Sequence, residues 1–129
     1  MHEVIVLGPG EGRAYEWGAM RGVFKADGEE TGDAYSVSEW SVLPGGDGPG
    51  PHSHPENVEL FVVTEGTMSF LAGNEWIDAP AGTFLRIPAG VTHDFANRTD
   101  EPAVAFNVFI PGGFEANMPD IVTWFEGNG

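Results

Sequence analysis

No cysteine occurs in this chain, which excludes disulfides, thiolate nucleophiles and the cysteine-rich zinc and iron–sulfur sites. Any metal here must be held by nitrogen and oxygen. Basic residues are scarce: Arg13, Arg21, Lys25, Arg86 and Arg98 stand against twenty acidic residues, for a formal net charge of −15. A nucleic-acid partner needs a basic footprint to release counterions from phosphates, and scattered arginines do not form one. Anionic membrane surfaces are disfavoured for the same reason. The acidic excess reads as a solvated surface. Long apolar runs are missing too, since stretches such as Val4-Ile5-Val6-Leu7 fall far short of the roughly 20 residues a membrane-spanning helix needs. No secretory pattern is visible, so a cytoplasmic location is expected.

What the chain has in quantity is punctuation. Nineteen glycines and ten prolines in 129 residues leave little room for long helices, and β-branched and aromatic residues fill the intervals. The pattern predicts an all-β domain spanning residues 1–129, long enough to bury a core without staples. Strands are expected at Tyr35 to Leu43, Val58 to Thr64, Thr67 to Leu71, Phe84 to Ile87, His93 to Asn97 and Val104 to Ile110. Pro44 to Pro51 reads as a surface loop, because neither flank could fold alone. The strands Val58 to Thr64 and Val104 to Ile110 are apolar at both parities, which asks for cover on two faces. A homodimer is expected to supply the second cover, with Val4 to Leu7 a candidate to add a strand to the partner. The tail from Phe114 to Phe125 carries apolar residues at roughly helical spacing and predicts a short helix packed on the barrel.

Of four histidines, His2 sits at the amino-terminal end and the other three fall at predicted strand boundaries. His52 and His54 are two apart, so on extended backbone both rings face the same side and can offer two nitrogens to one ion. Glu59 opens an apolar strand, where an unpaired carboxylate is expensive to bury and a cation would offset the cost. His93 follows a proline–glycine turn and could complete the set. Each residue taken singly has a plainer reading: a loop histidine pair, an edge carboxylate facing water, a hydrogen-bonded histidine. It is the coincidence of all four that points to a metal.

The spacing resembles the cupin superfamily. Gly46, His52, His54, Glu59 and Gly66 fall in the order of its first motif, and Gly82, Pro88, Gly90, His93 and Asn97 in the order of its second. The stretch Phe24 to Gly32 and the ending Pro111 to Glu115 are similar to a group of small single-domain cupins labelled quercetin 2,3-dioxygenase-like. The resemblance implies a double-stranded β-helix, a jelly-roll-like barrel with its core at about residues 33–111. It assigns His52, His54, Glu59 and His93 as ligands of one divalent transition metal, with Fe, Mn, Ni, Co and Zn all compatible with such donors. It further implies a dioxygenase-type oxidation of a flavonol or similar enol, with dioxygen as co-substrate and Glu59 as the base that takes the enol proton. A metal-dependent isomerase, lyase or cyclase on a small organic substrate, and a non-catalytic ligand-binding barrel, are the alternatives. By strand parity Phe61 and Val63 should follow Glu59 inward, with Met68, Phe70, Phe95 and Asn97 as further pocket candidates. Asn97 has an equal structural reading, as a residue that hydrogen-bonds backbone.

Overall fold

The computed structural model describes residues 3–128, so His2 lies outside the described residues. Two antiparallel sheets face each other. The larger contains, in spatial order, β1 (Arg13–Trp17), β2 (Met20–Ala26), β3 (Ser36–Val42), β9 (Ala103–Ile110), β4 (Val58–Glu65) and β7 (Phe84–Ile87). The smaller contains β6 (Glu75–Pro80), β5 (Thr67–Ala72) and β8 (His93–Ala96). The fold is the expected jelly-roll barrel.

Period-two patterning builds it. On β3, Ser36, Ser38, Trp40 and Val42 are buried while the residues between them are half-buried. On β4 the inward set is Glu59, Phe61 and Val63, and on β9 it is Ala103, Ala105, Asn107 and Phe109. Each inward set meets the smaller sheet, and Met68, Phe70 and Phe95 close the core from that side. The second apolar parity of β4 and β9 faces outward, leaving Leu60, Val104, Phe106 and Val108 half-buried and Val62 exposed.

Register fixes depth. Glu59 lies opposite Phe109, Phe61 opposite Asn107 and Val63 opposite Ala105, so the polar end of β4 is at one mouth of the barrel. His93 reaches the same mouth from β8, where it pairs with Ala72, while Phe95 pairs with Phe70 one level deeper. Gly22 on β2 sits opposite Trp40, and a Cβ there would lie 2.7 Å from the indole. The missing side chain lets Trp40 lie across β2 and present its ring to the same mouth.

The barrel is larger than the sequence suggests. The first sheet begins at Arg13, well before residue 33, and β1, β2 and β6 were not anticipated. Residues 4–7 form no strand in the single chain, and Val4 and Val6 are exposed. The tail is a 3-10 turn, Phe114–Asn117, followed by a helix, Met118–Asn128; with the one-turn helix α1 (Gly28–Thr31) it is α2. Pro119 sits in the first turn of α2, where its missing N–H costs nothing. Glu115 fastens the tail to the barrel: its Oε1 accepts from the Ser36 hydroxyl at 2.7 Å and its Oε2 from the Gly28 N–H at 3.0 Å. No helix among the described residues is long and apolar enough to cross a membrane.

Candidate metal centre

The segment carrying His52 and His54 is a loop, and what holds it extended is the opposite motif. His52 N–H donates to His93 C=O at 3.0 Å and His93 N–H to His52 C=O at 2.8 Å; Gly90 N–H donates to His54 C=O at 2.8 Å. Gly48 permits the loop to lie on β8 at all, because a Cβ there would stand 1.8 Å from the Phe95 carbonyl oxygen. Asp94 adds a side-chain anchor by accepting from Gly50 N–H at 3.0 Å. Residues far apart in sequence are thus brought together by backbone hydrogen bonds.

The three imidazoles and Glu59 converge. One ligand atom from each of His52, His54, Glu59 and His93 lies within 4.8 Å of all the others. Glu59 Oε2 stands 2.5 Å from His93 Nε2 and 3.3 Å from His54 Nε2. The far side of two rings is already used: His52 Nδ1 contacts Gly50 C=O at 2.7 Å and His93 Nδ1 contacts Val91 C=O at 2.9 Å. A carbonyl only accepts, so Nδ1 carries the proton in both rings and Nε2 turns its lone pair inward. The His54 ring is held edge-on between Phe109 and Phe114, with centroids at 5.0 and 5.6 Å.

Glu59 Oε2, His54 Nε2 and His93 Nε2 are buried and have no hydrogen-bond partner. Buried polar atoms are costly in that condition. Here they face one another, an arrangement that a divalent cation satisfies with all of them at once. Three neutral nitrogens and one carboxylate suit a first-row divalent ion and leave one or two positions open. The residues therefore fit a metal. Burial alone would push Glu59 up, but the two facing imidazoles outweigh it and hold the carboxyl at about 2, in the anionic form that can ligate. Burial pushes His52 below its ordinary value, toward the neutral form that can ligate. At His93 burial acts downward too, but the contact with Glu59 prevails and raises it.

Above the cluster lies a cavity of about 50 Å³. His52, Glu59 and His93 form its polar corner, Phe61 and Phe95 its floor, and Trp17, Trp40 and Pro49 its wall, while Phe114, Met118 and Ile121 of the tail cover it. Of the six pocket residues expected from parity, Phe61 and Phe95 are on the lining. Val63, Met68 and Phe70 are not: they lie deeper, packed in the core. Parity names the face a side chain occupies but not its depth. Asn97 is also absent from the lining. Its Nδ2 donates to Val42 C=O at 3.0 Å and Glu101 C=O at 2.6 Å, and its Oδ1 accepts from Thr99, so it braces backbone.

The cavity also draws on Trp17, Trp40, Asn107 and the covering residues of the tail, which the strand pattern of the sequence does not single out. For Asn107 a signal existed: a lone amide inside an apolar strand poses the same burial problem that drew notice to Glu59. Trp40 shares inward parity with Ser36 and Ser38, but two serines hide the face. Trp17 belongs to a strand whose sequence shows no alternation.

Residues 38–109 match the Cupin domain family. Over 85 residues the chain is 38% identical to germin-like protein subfamily 2 member 1 of Arabidopsis thaliana, a match covering 60% of this chain and 38% of that protein. It is 29% identical over 92 residues to quercetin 2,3-dioxygenase of Bacillus subtilis, covering 70% of this chain and 26% of that enzyme. The chain thus spans well under half the length of these curated relatives. Among solved structures, a predicted oxalate decarboxylase from Thermotoga maritima superposes with a TM-score of 0.67 at 18% identity, over 71% of this chain and 80% of that one. At that identity the likeness speaks to the fold alone. With the family match running from β3 to β9 across both histidine motifs, this chain belongs to the Cupin domain family.

Proposed function

We propose that the chain binds one divalent transition metal through His52, His54, Glu59 and His93 and carries out a dioxygenase-type oxidation of a small enol. The observation that carries the metal reading is the convergence of three buried, unsatisfied ligand atoms on one point. The similarity to quercetin 2,3-dioxygenase of Bacillus subtilis supports the reaction type. When bound, such an ion supplies Lewis acidity and, for the redox-active metals, one-electron chemistry. The chain's own residues do the rest. Trp17, Trp40, Phe61 and Phe95 offer aromatic surface to a flat substrate and keep water out. Glu59 Oε2, at the polar corner, is the group placed to take the enol proton. A carboxylate beside a dication is a weak base, so this role requires Glu59 to loosen from the cluster as the proton moves.

Size bears on the substrate. A cavity of about 50 Å³ holds on the order of a few water molecules, whereas pockets for ring systems of drug size run to roughly 300 Å³ or more. A flavonol enters only if Phe114, Met118 and Ile121 are displaced; a compact enol asks for less. The same narrowness favours a second reading, a metal-dependent isomerase, lyase or cyclase acting on a small organic substrate. Dioxygen uptake by metal-loaded protein, measured with quercetin and a panel of small enols, separates the two. The proposal expects uptake that scales with metal content and stops without oxygen. Product formed equally well under anaerobic conditions would contradict it and favour the second reading; ligand binding without turnover would favour a non-catalytic role.

We also propose that the protein is a homodimer, formed across the outer face of the larger sheet. Leu60, Val62, Phe84, Phe106 and Val108 are register neighbours there, with Val62 and Phe84 exposed. Exposed apolar patches of this kind mark association surfaces. Arg86 lies beside Leu60 and Glu39 beside Phe106 on the same face, so charges of both signs border the apolar patch. Light scattering at micromolar concentration is expected to give twice the 13.8 kDa chain mass, and a single-chain mass would contradict the dimer.

A further inference from the structure

We infer that Asn107 is a positioning residue for Glu59: it occupies one carboxylate oxygen so that only the other can join the cluster, which keeps a coordination position free for a ligand. This rests on the metal reading proposed above.

Asn107 is buried on the inner face of β9, in register with Phe61 on β4 and Ser38 on β3. Its Nδ2 donates to Glu59 Oε1 at 3.0 Å. The amide's orientation follows from the next partners. Trp40 Nε1 can only donate, and it donates to Ser38 Oγ at 2.9 Å. The Ser38 proton is thereby free for Asn107 Oδ1, at 3.4 Å. The chain of donors runs one way, Trp40 to Ser38 to Asn107 to Glu59, and each member is buried.

The two oxygens of Glu59 consequently differ. Oε1 is taken by an amide N–H; Oε2 has no hydrogen-bond partner and faces His54 and His93. Removing the amide would leave Oε1 buried and unpaired, a costly condition whose nearest remedy is for Oε1 to join Oε2 on the ion. One-oxygen ligation would become two-oxygen ligation, and an open position would be lost. Aspartate at 107 would set an acceptor against an acceptor. Asparagine supplies a donor of the right length without charge.

The test is a Co(II) titration of the metal-free full chain, read by the visible absorption of the ion, which reports coordination number and geometry, together with the dissociation constant. Parent protein is expected to take one equivalent. Asn107→Leu is expected to change the band shape and intensity and to weaken binding tenfold to a hundredfold, the usual effect of losing an outer partner of a ligand. Ser38→Ala, which removes the bond that orients the amide along with the acceptor of Trp40 Nε1 but leaves the amide itself beside Glu59, should shift the spectrum the same way and less. Ser69→Ala deletes a buried hydroxyl bonded to Asp78 on the other sheet; a purely structural effect would appear there as well, and its spectrum is expected to stay that of the parent. An Asn107→Leu protein with parental spectrum and affinity overturns the inference while leaving the metal site standing. Parent protein that takes up no Co(II) overturns both. If Asn107→Leu does not fold, an unchanged Ser38→Ala spectrum is sufficient to overturn it.

Discussion

Glu59→Gln is expected to separate metal retention from turnover. The substitution conserves shape and removes the anion, so three imidazoles remain for the ion while proton transfer stops. The neighbourhood adds a consequence that size alone does not suggest. Asn107 Nδ2 donates to Oε1, so it will claim the single oxygen of a glutamine and turn the amide N–H2 toward His54 and His93. An amide nitrogen is no ligand, and the fourth donor is lost along with the charge. Metal affinity should fall, and assays must be made on protein loaded to equal metal content. Under that condition the rate of oxygen uptake with an enol consumed by the parent should fall about a hundredfold to ten-thousandfold, the range typical of removing a general base. A metal-loaded Glu59→Gln protein that works at the parental rate would make Glu59 a spectator.

His93→Ala is expected to abolish the stabilisation that metal confers. An ion that binds the folded chain and not the unfolded one adds about 4 kcal/mol at a concentration a thousand times its dissociation constant. Parent protein should therefore unfold at markedly higher denaturant concentration with excess metal than after chelation. His93 is the ligand chosen because its Nε2 is nearest Glu59 Oε2, while alanine keeps the main-chain N–H and C=O that pair with His52, so the loop carrying the other ligands stays in place. Its removal also leaves a buried carboxylate short of a partner, so the metal-free variant will itself be less stable. The informative quantity is the difference between metal-loaded and metal-free midpoints within each protein, which should collapse in His93→Ala. An undiminished difference would place the ion elsewhere.

The sequence showed what depends on alternation and spacing, and failed where information lies across strands. His52, His54, Glu59 and His93 could be read because two-residue spacing, a stranded carboxylate and glycine turns are local signals; the chain then joins them through backbone bonds between residues 52 and 93 that no local pattern encodes. Strands β3, β4, β5, β7, β8 and β9 were anticipated within a residue or two. β1 and β2 were not, because charged residues and glycines interrupt their apolar positions, and one of those glycines, Gly22, is there to admit Trp40. Pocket depth was illegible as well: Phe61 and Val63 share a face on β4, yet register puts Phe61 at the cavity and Val63 in the core beyond it. The cover formed by Phe114, Met118 and Ile121 depends on where the tail docks. That is set by the bonds of Glu115 to Ser36 and Gly28, both distant in sequence.

The central claim, that these four side chains together hold one metal ion, is tested most directly by metal content. Metal-free protein dialysed to equilibrium against Co(II), then analysed for cobalt per chain, should contain one equivalent, and His52→Ala and His54→Ala proteins treated identically should retain only a small fraction of it. Parent protein without bound cobalt, or variants that hold as much as the parent, would contradict the account.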